Sequence, residues 1–253
     1  MWKQTNKQTN KQTNKQTNKQ TNKQLRLTNN QLKIIAMVSM VLDHVGLALF
    51  PYVEIFRVLG RLAFPIFAYM IAEGCAHTKN RKKHLFTISS MAFLFQLVYL
   101  IFMNDLYQGI LVTFSLSIGI IYSLEGIIQN KNTMHRAIML LALTFYLFYG
   151  IVCPILFGKY GFEIDYKGWG IFLPVIIYFA PNKKAKLLSC ATILAVMSLF
   201  SLPRQWFALL TIPLLALYNG ERGKAKMKYF FYIAYPLHLV IIYGILILLT
   251  IIK

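Results

Sequence analysis

The chain has 253 residues, 57% of them hydrophobic and only 14% charged, and it carries a formal charge of +19. An ordinary soluble domain is about 45–50% apolar and about 25% charged, so a soluble globular enzyme, a β-barrel and a chain disordered beyond its N-terminus are excluded. A sequence pI near 9.9 would suggest nucleic acid in a soluble protein, but the basic residues fall between apolar blocks of membrane-spanning length, where topology accounts for them and no nucleic-acid partner is expected.

Residues 3–22 are five copies of Lys-Gln-Thr-Asn. Nothing apolar offsets the entropy of ordering them, so residues 1–30 read as a disordered tail and 31–253 as a transmembrane domain. The tail is either neutral or a polybasic arm for anionic lipid. Nine apolar segments follow, over about 32–50, 55–76, 85–103, 110–128, 137–155, 169–180, 187–202, 206–219 and 230–252. The expected fold is an all-α, multi-pass bundle of about nine helices in the cell membrane, in contact with membrane lipids. The sixth and eighth segments fall short of the ~20 residues that cross ~30 Å of hydrocarbon. The first segment is too long for a signal-peptide core, so it is expected to stay in the protein.

Most Lys and Arg lie in the tail and in loops 77–84, 129–136, 181–186 and 220–228, while the alternate loops hold Glu54, Asp105, Glu163 and Asp165. The positive-inside rule then places the N-terminus in the cytoplasm. Cys75, Cys153 and Cys190 are too scattered for a disulfide framework or a zinc site.

Ionisable residues inside apolar helices are costly, so each demands a reason. Asp43 and His44 lie in the first segment, Arg57 and Arg61 in the second, and His238 in the last. Helical rise puts His44, Arg61 and His238 in one slab near the bilayer midplane, and Arg57 and Arg61 share a helix face. This pattern predicts that the first, second and last segments meet. A closed ion pair such as Asp43 with Arg61 would explain the acid and one base, but not two histidines at matching depth. The arginines argue against a bound cation, and no metal is expected. Glu73 and Glu125 sit near helix ends, where solvated pairing with the basic loops is expected. Tyr235-Pro236 places a proline inside the last segment.

Three strings carry a family likeness: Leu42-Asp43-His44, Gly60-Arg61-Leu62-Ala63-Phe64-Pro65-Ile66-Phe67-Ala68 and Tyr235-Pro236-Leu237-His238-Leu239. With the looser Asp165-Tyr166-Lys167-Gly168-Trp169-Gly170, they resemble the TraX family of membrane proteins in order and over most of residues 31–245. The resemblance implies a multi-helix acyltransferase. Founding members are associated with acetylation of a pilin N-terminus, and the family looks related to transmembrane acyltransferases that modify sugars and other exported acceptors with acyl-CoA. A protein N-terminus or a glycan is thus the kind of acceptor implied.

Moving an acetyl group from acetyl-CoA to an amine or hydroxyl needs a base, charge for the oxyanion and anchorage for the phosphates. His44 or His238 fits the base, Arg61 the oxyanion or a phosphate, and Asp43 a residue that orients a neighbouring helix. Arg57, Asp165, Tyr166 and Tyr235 are candidate acceptor-binding residues. Lys82, Lys83, Arg222 and Lys224 are candidates for coenzyme A, although topology already predicts positive charge there. The competing class is a permease or flippase using the same charges as a substrate site. A scaffold would leave the histidines unexplained. An enzyme should gather His44, Arg61 and His238 at one cavity opening toward the basic loops.

Overall fold

A computed structural model of the chain describes residues 26–223 and 227–252; the KQTN tract and Lys224 lie outside the described residues. The fold is helical, with two isolated β-bridges, Leu27 to Tyr218 and Gln108 to Ile164, among the described residues. In chain order α1 spans Asn29–Ala48, α2 Glu54–Gly60, α3 Ala63–His77, α4 Arg81–Met103, α5 Ile110–Gln129 and α6 Thr133–Leu147. A π-helical turn, Phe148–Val152, continues α6 into α7, Cys153–Phe157. There follow α8, Lys167–Phe179; α9, Lys183–Leu199; a 3-10 segment, Pro203–Leu210; α10, Thr211–Ala216; and α11, Lys228–Ile252.

All nine apolar segments are helical, yet six described helical stretches are long and apolar enough to cross a membrane: 29–48, 54–77, 81–101, 110–129, 133–160 and 233–251. This is a membrane protein. The nine helical segments stand, but of the about nine spanning helices expected, six have spanning length among the described residues. The sixth segment forms the 13-residue α8, the seventh the 17-residue α9 with three lysines at its start, and the eighth divides into the 3-10 segment and α10. Residues 26–30, read from sequence as the end of the tail, belong to the folded part. Thr28 and Gln31 form a capping box on α1, and Leu27 N–H donates to the Leu217 carbonyl at 2.8 Å.

Prolines explain two of the breaks. Pro65 offers no N–H to the Arg61 carbonyl, and the second segment divides there into α2 and α3. Pro154 does the same to Gly150, where the π turn widens the helix.

Asn80, Asn132 and Asn182 cap α4, α6 and α9 just as Thr28 caps α1, so four of the helices that start at the basic end share one device. At the opposite, acidic end, the Gln108 N–H donates to the Glu163 carbonyl at 2.7 Å and the Asp165 N–H to the Gln108 carbonyl at 2.9 Å.

The apolar core lies among α3, α5, α8, α9 and α10, where Tyr69, Ile66, Leu173, Ile177, Leu194 and Leu215 are fully buried. Against this core stand α4 and α11, with apolar side chains such as Phe93, Leu94, Val240 and Ile241 exposed, as lipid-facing helices require. Glu73 and Glu125 do pair with the basic end, but they are not solvated. Glu73 is 6% exposed and holds Lys186 at 2.6 Å, and Glu125 is 6% exposed and holds Arg81 at 2.5 Å.

Candidate active site

α1 packs against α2 and α3 on one side and α11 on the other, which brings the first, second and last apolar segments together. At their junction Asp43 accepts from two guanidiniums, Arg57 Nη1 at 2.9 Å and Arg61 Nη2 at 2.6 Å. All three side chains are less than one-fifth exposed. The close approach depends on Gly60, where a Cβ would collide with the Asp43 carboxylate. Arg61 is committed further, from Nε to the Arg57 carbonyl at 3.3 Å and from Nη1 to Gln205 Oε1 at 3.4 Å. Two cations share one carboxylate, so the triad keeps a surplus positive charge.

One residue on, about 100° round α1, His44 meets His238 of α11. The Nδ1 of His44 lies 3.0 Å from the Met40 carbonyl, and that of His238 lies 3.2 Å from the Ala234 carbonyl. Carbonyls only accept, so hydrogen is assigned to Nδ1 on both rings. The Nε2 of His238 is then a lone-pair nitrogen, and at 3.2 Å it shares the single His44 Nδ1 hydrogen with the Met40 carbonyl. The same assignment leaves His44 Nε2 as the basic nitrogen of the pair.

His44, Asp43, Arg57 and Arg61 line a cavity of about 520 Å³ toward the acidic end, the outer cavity on the expected topology, together with Tyr235, Tyr107, Asp105, Asp165 and Tyr166. His238 stands behind His44. Every acceptor-binding residue expected from sequence therefore reaches this cavity. Tyr166 stacks on Phe64 with ring centroids 3.8 Å apart and adopts a positive φ of 57°. Gly170 makes the turn possible, since a Cβ there would sit 2.7 Å from the Tyr166 Cβ and 2.9 Å from the Asp165 carbonyl oxygen. Burial pushes the Asp165 carboxyl up to about 6, with the Tyr107 hydroxyl and the Arg61 charge pulling the other way. Burial also raises the Tyr107 and Tyr166 hydroxyls.

Among the described residues, none from the basic loops lines this cavity. Its polar rim comes from the acidic end, at residues 105–109 and 165–166. A second, inner cavity of about 550 Å³ occupies the basic end and is lined by Lys33, His77, Lys83, His84, Arg222 and Glu73, among others. Of the residues expected to hold phosphate, Lys83 and Arg222 line it, and exposed Lys82 does not. The sequence reading missed Lys33, His77 and His84 there, and Gln205, Asp105 and Tyr107 at the outer site. Lys33 had a signal, because it lies eleven residues before His44 and therefore on the same helix face. Gln205 had none, lying in an irregular 3-10 segment far along the chain.

The family profile described as TraX protein matches residues 28–246. Over 240 residues the chain is 27% identical to the probable fimbrial assembly protein FimC, serogroup H1, of Dichelobacter nodosus, covering 84% of this chain and 93% of that protein. A 44-residue stretch is 46% identical to an uncharacterized protein of Rickettsia prowazekii (strain Madrid E), covering 17% of this chain and 18% of that one. No solved structure matches. The chain belongs to the TraX family.

Proposed function

From this membership and the site geometry, we propose that the chain is an acyltransferase of the cell membrane that moves acetyl from acetyl-CoA to an amine or hydroxyl of an exported acceptor. The observation that carries the reading is the histidine pair, whose one remaining basic nitrogen, His44 Nε2, belongs to a residue lining the same cavity as a triad with surplus positive charge.

His44 Nε2 takes the acceptor's proton as the nitrogen or oxygen attacks the thioester carbonyl. The His44 ring, now cationic, keeps its Nδ1 hydrogen bonds to Met40 and His238, so His238 is a positioning residue that holds the tautomer. The surplus charge of the triad offsets the developing oxyanion, in a site where low dielectric strengthens it. Arg61 spends its nitrogens on Arg57, Gln205 and Asp43, so Arg57, bonded through Nη1, has the freer edge for direct contact. Collapse breaks the carbon–sulfur bond, and His44 returns the proton to the leaving thiolate.

Acetyl-CoA supplies the activated acyl group. The residues at the basic end fit its phosphates: Lys33, Lys83, Arg222, His77 and His84 surround the inner cavity, and its one acid, Glu73, is already paired with Lys186. With the N-terminus cytoplasmic, donor and acceptor arrive from opposite faces. The name of the relative, a probable fimbrial assembly protein, favours a pilus-related protein acceptor over a glycan.

Purified protein in detergent, given labelled acetyl-CoA and peptide or sugar acceptors, is expected to transfer label, and His44→Ala is not. Full transfer by His44→Ala, or solute flux across vesicles with no transfer by wild type, overturns the proposal.

A further inference from the structure

The two cavities share their walls. On α1, Lys33, Met37, Met40 and His44 form one stripe, and on α11, Phe231, Tyr235 and His238 form another. Lys33 and Phe231 line the inner cavity, whereas Met40, His44, Tyr235, Ala63 and Phe67 line the outer one. What separates them is a single apolar cluster of buried Met37, Met40 and Ala63, packed by Phe67, Phe231, Ala234 and Tyr235. The septum is thin, since Lys33 to Met40 is seven residues, or about 10 Å of helix. Its inner face is closed by a cation–π contact, with Lys33 Nζ 5.9 Å from the centroid of the Phe231 ring.

We infer that this septum is the passage through which the pantetheine arm of the acyl donor reaches His44, with Phe231 as the plug that Lys33 holds shut until a phosphate group draws it away. The inference rests on the acyltransferase reading. Phosphates at the basic end and a reacting carbonyl at His44 are separated by the rise of eleven residues, about 16 Å, which an extended pantetheine arm spans. A nucleotide carries too much charge to follow it into the apolar interior, so the arm alone must cross. The arm is uncharged and slender. Methionine suits its path, because the unbranched thioether side chain adapts to whatever lies beside it. Lys33 links the two events: its ammonium cannot serve a phosphate and the Phe231 face equally, so donor binding weakens the contact that closes the septum.

The test uses the full-length protein and a readout independent of acyl transfer. In Met40→Cys, the new thiolate attacks the sulfur of a CoA–thiopyridyl disulfide, forming a mixed disulfide at position 40 and releasing thiopyridone. Wild type is the control, its three cysteines being buried. Intact-mass analysis is expected to find a CoA adduct that forms about tenfold more slowly when Met37→Trp fills the septum and faster when Phe231→Ala opens it. In turnover, Met37→Trp is expected to lower kcat/KM for acetyl-CoA about tenfold relative to that for S-acetyl-N-acetylcysteamine, a donor without the nucleotide.

Absence of an adduct, or an adduct rate indifferent to both septum variants, overturns the passage. Equal losses for the two donors overturn it as well. An adduct with the expected variant effects, but no transfer from either donor by wild type, supports the passage and overturns instead the chemistry assigned to His44.

Discussion

Glu125 and Asp43 are both carboxylates held inside an apolar bundle, and they differ in how their charge is met. Glu125 Oε1 accepts from Arg81 at 2.5 Å and from Gln129 at 2.8 Å, while Oε2 accepts from the Tyr178 hydroxyl at 2.7 Å. One cation answers one anion, neutral donors fill the remaining lone pairs, and the cluster ties α4, α5 and α8 at the basic end. Asp43 has two cations and lines a cavity beside a histidine whose Nε2 keeps its lone pair. A closed pair can only hold helices together. An unbalanced group facing a void has charge left over for a substrate, and on the reading proposed above that difference, more than depth or burial, separates a fastener from a reaction site.

The sharpest way to break this contrast is to compare turnover at equal amounts of folded protein. His44→Ala is expected to lower transfer by about 10²–10⁴-fold, and Glu125→Gln to leave turnover per folded molecule unchanged. His238→Phe should fall between them, through a mispositioned His44, with His238→Gln restoring part of the loss because its carbonyl can still accept from Nδ1. A Glu125→Gln enzyme as impaired as His44→Ala would erase the distinction.

Stability should show the reverse order. Glu125→Ala removes the acceptor shared by Arg81, Gln129 and Tyr178; the Arg81 side chain is 45% exposed and can turn to solvent, so the cost should be about 1–3 kcal/mol, read as a lower denaturation midpoint in detergent. Arg57→Ala leaves Asp43 still paired with Arg61 and should cost less. Equal costs would mean that the surplus cation is structural.

Asp165 sharpens the contrast through pH. Its carboxyl is raised from 3.8 to about 6, so the folded state holds the proton more tightly than the unfolded state does. Its effect on stability is therefore smallest below the unfolded value, becomes unfavourable as pH rises through that window, and is fully unfavourable above about 6. Asp165→Asn, whose carbonyl still accepts from Tyr107, should raise the denaturation midpoint at pH 7.5, by at most ~3 kcal/mol in free energy, with the gain fading toward pH 4. A gain that does not depend on pH would assign the effect to packing.

The smallest effect is expected at the basic end. Lys83→Ala should raise KM for acetyl-CoA a few-fold, less so in high salt, while Lys82→Ala, outside the cavity wall, should not. Identical behaviour would make both lysines topological charge and nothing more.

The sequence alone determined that this is a helical membrane protein, where its apolar segments lie, and that His44, Arg61 and His238 belong together. Each follows from a local rule: hydrocarbon excludes unpaired backbone, so apolar runs become helices, and rise per residue converts position into depth. It also exposed the residues at mid-depth, because their cost is a property of the residue type.

Tertiary structure decided what those residues do for one another. Depth does not say which way a helix is turned, so only packing revealed that Asp43 takes both arginines, that His238 backs His44, and that Gln205 reaches Arg61 from an irregular segment. Packing likewise divided the second segment at Pro65, shortened the sixth to eighth, and placed the cavity rim at the acidic end with a septum closing off the basic one. These outcomes depend on which side chains from distant parts of the chain fill the same volume, and no periodicity along one helix carries that information.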